Sequence, residues 1–482
     1  MGFGYDVHAG DVSGLRALYV HSTRTGPQMG EKMEVLKKAS RRRFLGAAAK
    51  ASAVIAAAPY IRTSHAAGKL SVGFWDHWVP GANEALAELC NEWAAKEKVD
   101  LKIDFITSQG RKLLLTITSQ GMAKSGHDIL PFPIWLVAGQ QRNLEPVDDI
   151  MAPLIKQNGG VDPVHEYLGK HDGRWLGVPS TPGSMMKEPC GRIDLIKKYA
   201  GIDITRMYPA GKKGDQKLID NWTWDTFLQV AEKCKKGGHP VGLGLGATSD
   251  SVDWVGSLFA AYGVQLVDAD GNIAVDSDAT REAMDYAKRL TAHLPREVFA
   301  WDDASNNKWL ISGRGSLIMN PPSAWAVAKR DNPKVASQLW SFSCPSGPKG
   351  RDRAGLPSHW GIWKFAKNKS AAKSLLVYLS QRSSAEKLVN ASQGFDIPGF
   401  SGFRDFNTWS EAGPPKGTLY NYPPRDDQNV TIAAMPAPPA IANQIYVQAT
   451  MTKMIARHTQ AKQSIEKVIG WAASELEGFM RV

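Results

Sequence analysis

Lys69-Leu70-Ser71-Val72-Gly73-Phe74-Trp75 and the run behind it, Ala82 to Lys96, decide the fold. The first seven residues read as a strand. The second stretch repeats apolar residues at Ala85, Leu86, Leu89, Cys90 and Trp93, which is a helical period. Val99 to Thr107 returns to strand spacing with Leu101, Ile103 and Phe105. Lys112 to Lys124 is helical again, and Asp128-Ile129-Leu130 begins another short strand. Strands alternating with helices predict an α/β fold, with parallel sheets flanked by helices on both faces. In such sheets ligands bind beyond the carboxyl ends of the strands, where loops converge.

Those loops are unusual. Asp76, His77 and Trp78 follow the first strand, and Pro131, Phe132, Pro133 and Trp135 follow the third. Further on come Asp253-Trp254, then Trp301-Asp302-Asp303 with Asn306-Asn307 and Trp309. The strand-like Ser316 to Met319 leads to Asn320 and Trp325, and Ser358-His359-Trp360-Gly361 closes the series. With 16 Trp in the chain, core packing accounts for any single one. The set, placed beside Asp, Asn and His, reads as a ligand cleft. Flat rings pack against the apolar faces of sugar rings while carboxylates and amides take hydroxyl hydrogen bonds.

Five segments, in order, carry a resemblance. Gly169 to Pro179 (GKHDGRWLGVP) resembles a G-K-x-Y-G-V-P stretch, and Trp222 to Phe227 a T-W-D-E-F helix start. Ser312 to Met319 resembles an S-G-K-A-A-M strand that leads to a sugar-stacking Trp. Ala366 to Leu379 resembles an N-K-E-A-A-W-K-F-L-x-F-L helix, and Gln393 to Pro398 the G-x-x-P after it. Together they span nearly all of Lys69 to Val482. The chain resembles extracellular solute-binding protein family 1, the sugar-binding components of ABC-type importers that include the maltose-binding type. That resemblance implies a two-lobed type II periplasmic binding protein fold with the ligand cleft between the lobes. It also implies a carbohydrate or polyol as ligand and a membrane permease as partner.

The expected division is 68–181 with 354–380 as lobe 1, and 182–353 with 381–482 as lobe 2. Pro179 to Gly183 reads as an extended crossing, and Ser346 to Pro357 as an exposed hairpin or return beside the second crossing. Crossings of this kind let two lobes close by hinge motion. The chain departs from the maltose-type pattern at Met185 to Cys190, where relatives carry Tyr-Asn. Met435 to Pro439 resembles the segment that leads to an aromatic platform, but the platform position is Ile445, with Tyr446 beside it. The pocket is therefore not expected to be a maltose pocket. The expected ligand set is Asp76, His77, Trp78, Phe132, Trp135, Asp253, Trp254, Trp301, Asp302, Asn306, Asn307, Asn320, Trp325, Trp360 and Tyr446.

Upstream, Ser40-Arg41-Arg42-Arg43-Phe44-Leu45 opens a moderately apolar run to Ala58, followed by Ser64-His65-Ala66-Ala67. This is the layout of an export signal, and the arginine pair before Phe-Leu resembles its twin-arginine variant. The plainer reading is a basic terminus ahead of an alanine-rich helix. The signal places the protein in the periplasm, with residues 1–67 outside the fold and the start of translation at Met29 or Met33. Residues 1–66 hold 10 Lys+Arg and 4 Asp+Glu, so removing their surplus of 6 from the full +11 leaves +5. No basic stripe with interleaved aromatics appears, so nucleic acid is not an expected partner. Lys233 to Lys236 reads as the solvated end of a helix. The four cysteines have no CxxC spacing, which argues against a metal site, and three disulfide pairings stay open. Cys90 reads as a buried thiol.

No GxSxG, HExxH or P-loop pattern is present. Gly242 to Ala247 matches a glycine-rich dinucleotide motif formally but does not open a clear βαβ unit. Asp302-Asp303 cannot be the paired acids of a glycosidase, because adjacent side chains diverge and such acids stand about 5–10 Å apart. The reading is a non-enzymatic, monomeric binding protein that needs no cofactor. A secreted carbohydrate-active enzyme, or the same fold taking a polyamine, are the alternatives. The polyamine would need several carboxylates facing the cleft.

Overall fold

The computed structural model describes residues 68–209, 213–411 and 427–481. The export-signal segment lies outside them. The opening alternation stands as read: strand Gly68–Trp75, helix Ala82–Glu97, strand Val99–Ile106, helix Lys112–Ala123, strand Ile129–Pro133. A five-stranded sheet runs in the order Val99–Ile106, Gly68–Trp75, Ile129–Pro133, Ser358–Ile362, Val178–Pro179.

Its first three strands are parallel, as expected, but Ser358–Ile362 pairs antiparallel with both neighbours. That strand arrives from the far half of the chain and enters the sheet from the opposite end, so its direction is reversed. Alternate residues feed different cores. Leu70, Val72 and Phe74 join the large cluster with Leu86, Leu89 and Trp93. Leu130 and Phe132 join a second one with Ile117, Val137 and Trp363. Helix Lys369–Leu379 packs on helix Ala82–Glu97 and on Ser358–Ile362, and helix Arg382–Ala391 also packs on Ala82–Glu97.

The second half is built on a smaller sheet, Leu339–Ser341, Pro189–Arg192, Leu317–Met319, antiparallel throughout. Parallel pairing was expected here too. These strands are three or four residues long and are joined by long helical excursions. Helix Trp224–Lys236 is capped by Thr223, whose hydroxyl accepts from Thr226 N at 3.2 Å. Its lysines gather in the last turn, where cations complement the helix dipole. Ser346–Gly347 and Gly350–Leu356 form a hairpin, as expected, but only its tip at Pro348 and Lys349 is exposed, and Asp352 to Leu356 are buried. Cys90, Cys190, Cys234 and Cys344 are all buried free thiols.

Between the halves, Thr181 to Gly183 make a turn rather than a continuous extended crossing. Gly183 has φ +85°, a left-handed value that favours glycine. Its N–H donates to Asp396 Oδ1 at 2.9 Å. Ser184 Oγ donates to Ser180 O (2.6 Å) and accepts from Ser358 N (2.9 Å), which fastens two crossing strands to each other.

Candidate functional site

A cleft of about 1080 Å³, open to solvent, lies between elements of the two halves. The first sheet and its loops supply Trp75, Trp78, Pro131, Pro133 and Leu136, with Arg111, Leu113 and Leu114 from the turn and helix beside them. Phe395 stacks on Trp75, with ring centroids 6.0 Å apart. Apart from Arg111, this wall is aromatic and apolar. The other wall is polar, with Thr248, Ser249, Asp250, Asp303, Asn320 and Ser323, and Tyr446 closes one side.

Helix Ser249–Tyr262 organises the polar wall. Thr248 caps it by accepting from Ser251 N, so Ser249 and Asp250 stand in its first turn at the cleft. Just ahead of this cap the chain passes so close to Trp301 that a Cβ on Gly246 would lie 2.4 Å from the Trp301 carbonyl. Asp253 sits three residues beyond Asp250 on the same face. Both carboxylates therefore reach one ammonium: Lys187 Nζ donates to Asp250 Oδ1 and Asp253 Oδ2 at 2.6 Å each. Lys187 occupies strand Met185–Lys187 and is 2 % exposed.

The network extends from there. Tyr446 Oη donates to Asp253 Oδ1 (3.0 Å), and Asn306 Nδ2 to Asp250 Oδ2 (2.9 Å). Asn307 donates to Ser323 Oγ and accepts from Asn320 Nδ2, both at 2.9 Å. Asp303 Oδ1 accepts from Asp250 N at 3.3 Å. Burial alone would depress the Lys187 ammonium, but Asp250 and Asp253 outweigh it and hold the charge. Burial pushes the Asp253 carboxyl up to about 6 against the opposing pull of Lys187, which leaves this pair ionised at neutral pH. Burial, then the Asp250 charge, pushes Asp303 up to about 7.

Of the residues expected from sequence, Trp78, Asn320 and Tyr446 line the cleft, and Asp253, Asn306 and Asn307 stand directly behind its polar wall. Asp76 and His77 are turned away: Asp76 accepts from Asn83 Nδ2 (2.7 Å), and His77 faces Asp396. Phe132, Trp135, Trp254 and Trp360 are packed in the cores instead, each 2 % exposed or less. Trp135 Nε1 donates to Ala433 O and Trp254 Nε1 to Gly244 O. Trp301 packs on Trp309, and Trp325 is buried beneath Lys329. Asp302 accepts from Ala304 N and Ser305 Oγ at the start of helix Ser305–Ile311. Sequence reasoning missed Trp75, Lys187, Asp250 and Phe395, and it placed Asp303 in the cleft series but left it out of the expected ligand set. A lysine in an otherwise apolar short strand was the available signal for Lys187.

Among the described residues, no group of three His, Cys, Asp or Glu could hold a metal, and no helix is long and apolar enough to cross a membrane.

The sequence profile of bacterial extracellular solute-binding proteins matches residues 82–386, which is 305 of 482 residues. The chain is a member of that family. No curated protein matches this solute-binding protein. Solved structures do. Maltose-bound MalE3 of T. maritima is 17% identical, with a TM-score of 0.70 over 85% of this chain and 99% of that one. The sugar transporter of Arthrobacter chlorophenolicus A6 with bound laminaribiose is 14% identical, with a TM-score of 0.68 over 85% and 99%. The GacH receptor of Streptomyces glaucescens, solved unliganded and with acarbose, is 16% identical, with a TM-score of 0.65 over 86% and 99%. At these identities the likeness is one of fold, and it is that of the two-lobed binding proteins.

Proposed function

We propose that this solute-binding protein captures a carbohydrate or polyol in the cleft and delivers it to the membrane permease of an ABC-type importer. One observation carries the reading: Trp75, Trp78 and Phe395 stand on one wall of a single cleft whose other wall is Asp250, Asp303 and Asn320. Rings of this kind cover the apolar faces of a sugar, and the carboxylates and amide meet its hydroxyls. The three structural neighbours described above were solved in complex with maltose, laminaribiose and acarbose.

The protein acts without making or breaking a bond, as a monomer. The lobes are 68–181 with 354–380, and 182–353 with 381–482, except that helix Arg382–Ala391, packed on Ala82–Glu97, travels with the first. Export to the periplasm follows the twin-arginine route through Arg41-Arg42, and replacing both by Lys is expected to trap precursor inside the cell. A thermal-shift screen of mono-, di- and oligosaccharides and polyols tests the ligand assignment, since a ligand that binds only the native state raises Tm. No shift with any of them would overturn it.

Asp250 and Asp303 also favour a second reading, an amine-bearing solute such as a polyamine in the same cleft. Stabilisation by polyamines and by no sugar would select it.

A further inference from the structure

The polar wall of the cleft and the layer behind it hold more acid than base. Lys187 is bonded to Asp250 and Asp253 at 2.6 Å each. The second oxygen of Asp250 accepts from Asn306, and that of Asp253 from Tyr446, so both carboxylates are engaged at both oxygens.

Asp303 is held differently. It lines the cleft at 8 % exposure, and its partners are neutral: Asp250 N at 3.3 Å, Ser249 Oγ at 3.4 Å and the Thr248 hydroxyl. Among the described residues no cation pairs with it, because Lys187 is spent on the other two. Burial, then the Asp250 charge, pushes its carboxyl up to about 7, and the opposing pull of Lys187 does not cancel them. A buried carboxylate is costly to ionise without a counter-charge, and a cation in the cleft would supply one.

A second acceptor opens on the same wall. Asn320 lines the cleft and is 4 % exposed. Its Nδ2 donates to Asn307 Oδ1, while its own Oδ1 has no donor among the described residues. Two acceptors call for a group that only donates, and an ammonium has three donors and no acceptor. On the opposite wall, Trp75 and Trp78 offer flat faces to a ring. Arg111 stands on that wall too, fixed by a 2.6 Å hydrogen bond to Val447 O. A polyamine, cationic along its length, would set further ammonium groups against this guanidinium. One ammonium on an otherwise neutral ring avoids that.

We propose that the solute is an amino sugar, its ring against Trp75 and Trp78 and its ammonium on Asp303 and Asn320. This rests on the sugar reading above and narrows it. Acetylating the amine removes the charge and turns a carbonyl toward acceptors. A hydroxyl in its place keeps a donor but loses the charge.

The test is calorimetric titration of the purified protein with glucosamine, galactosamine, mannosamine and the β-1,4-linked glucosamine disaccharide. Each is compared with its N-acetyl form and its hydroxyl parent, and spermidine is titrated alongside. In at least one of these sets the amine should bind roughly tenfold tighter than both counterparts, the difference between a charged and a neutral hydrogen bond. Asp303→Asn should erase that preference, with Tm confirming the fold. If that variant does not fold, Asn320→Ala should reduce the preference, and the comparison on the unaltered protein decides in either case. Hydroxyl parents bound as tightly as the amines, or N-acetyl forms preferred, would overturn the proposal and leave the sugar reading standing. Binding of spermidine and of no sugar would overturn both. Binding of neither sugars nor spermidine would overturn the proposal as well.

Discussion

His77 and Asp396, 319 positions apart in the chain, are joined inside the protein: Nε2 of the imidazole lies 3.1 Å from both carboxylate oxygens, and both side chains are nearly inaccessible. His77 Nδ1 accepts from Val79 N, so Nε2 carries the proton that Asp396 receives. The same carboxylate accepts from Gly183 N in the crossing turn. One side chain thus ties the end of the first strand to the segment between the halves, directly behind Trp75 and Phe395.

Asp396→Asn keeps the shape and removes the charge that two donors share. It is expected to lower stability by about 1–3 kcal/mol, measured by urea unfolding. It should also change the solution radius by X-ray scattering with and without ligand, since the turn at Gly183 is then held less firmly. An unchanged radius in both states would deny Asp396 any part in lobe geometry.

Trp78→Ala should weaken solute binding while leaving the Tm of the unliganded protein within a few degrees of the parent. Trp360→Ala should do the reverse, costing about 3–5 kcal/mol of stability because the ring is fully buried against Phe74. Thermal melts paired with binding isotherms separate the two.

Lys187→Met leaves Asp250 and Asp253 facing each other without their cation. Removing one partner of a buried pair costs about 3–5 kcal/mol. The double variant Lys187→Met, Asp253→Leu should recover part of that loss, and chemical denaturation of the three proteins measures it.

Asp303 provides a pH signature. Its folded-state carboxyl is pushed up to about 7 from the ordinary 3.8, so between those values the native state holds a proton that the unfolded chain has released. Its contribution to stability is complete below pH 3.8 and is lost as pH rises through about 7, with a steepest slope of about 1.4 kcal/mol per pH unit. His165 and His359 oppose this. Burial lowers both to about 3, so their contribution is complete above pH 6.5 and is lost as pH falls. Comparing Asp303→Asn with the parent from pH 4 to 8 isolates the carboxyl, and parallel stability curves would count against its raised value.

The first half of the fold was legible because each strand and helix there is long enough to show its period. Of the short strands of the second sheet only Leu317–Met319 was read as strand-like, since three or four residues show no period, and the return of Ser358–Ile362 depends on pairing across nearly the whole chain. At the site, adjacency in sequence misled. In strand Ile129–Pro133, Pro131 and Pro133 face the cleft, so Phe132 between them must face the other way. In helix Ser249–Tyr262, Asp253 meets Lys187 while Trp254, a quarter-turn on, points into the core. The Asp-Asn-Tyr chemistry could be seen in the sequence, whereas which neighbour of each pair reached the cleft was set by backbone phase.

The position of Ser358–Ile362 between Ile129–Pro133 and Val178–Pro179 has a consequence for biosynthesis. A nascent chain, or a proteolytic fragment ending before residue 358, leaves the inner edge of Ile129–Pro133 bare and Val178–Pro179 without the strand it pairs with. An unpaired edge of that kind is a template for another chain. Truncated products of this protein should therefore self-associate rather than persist as a soluble half.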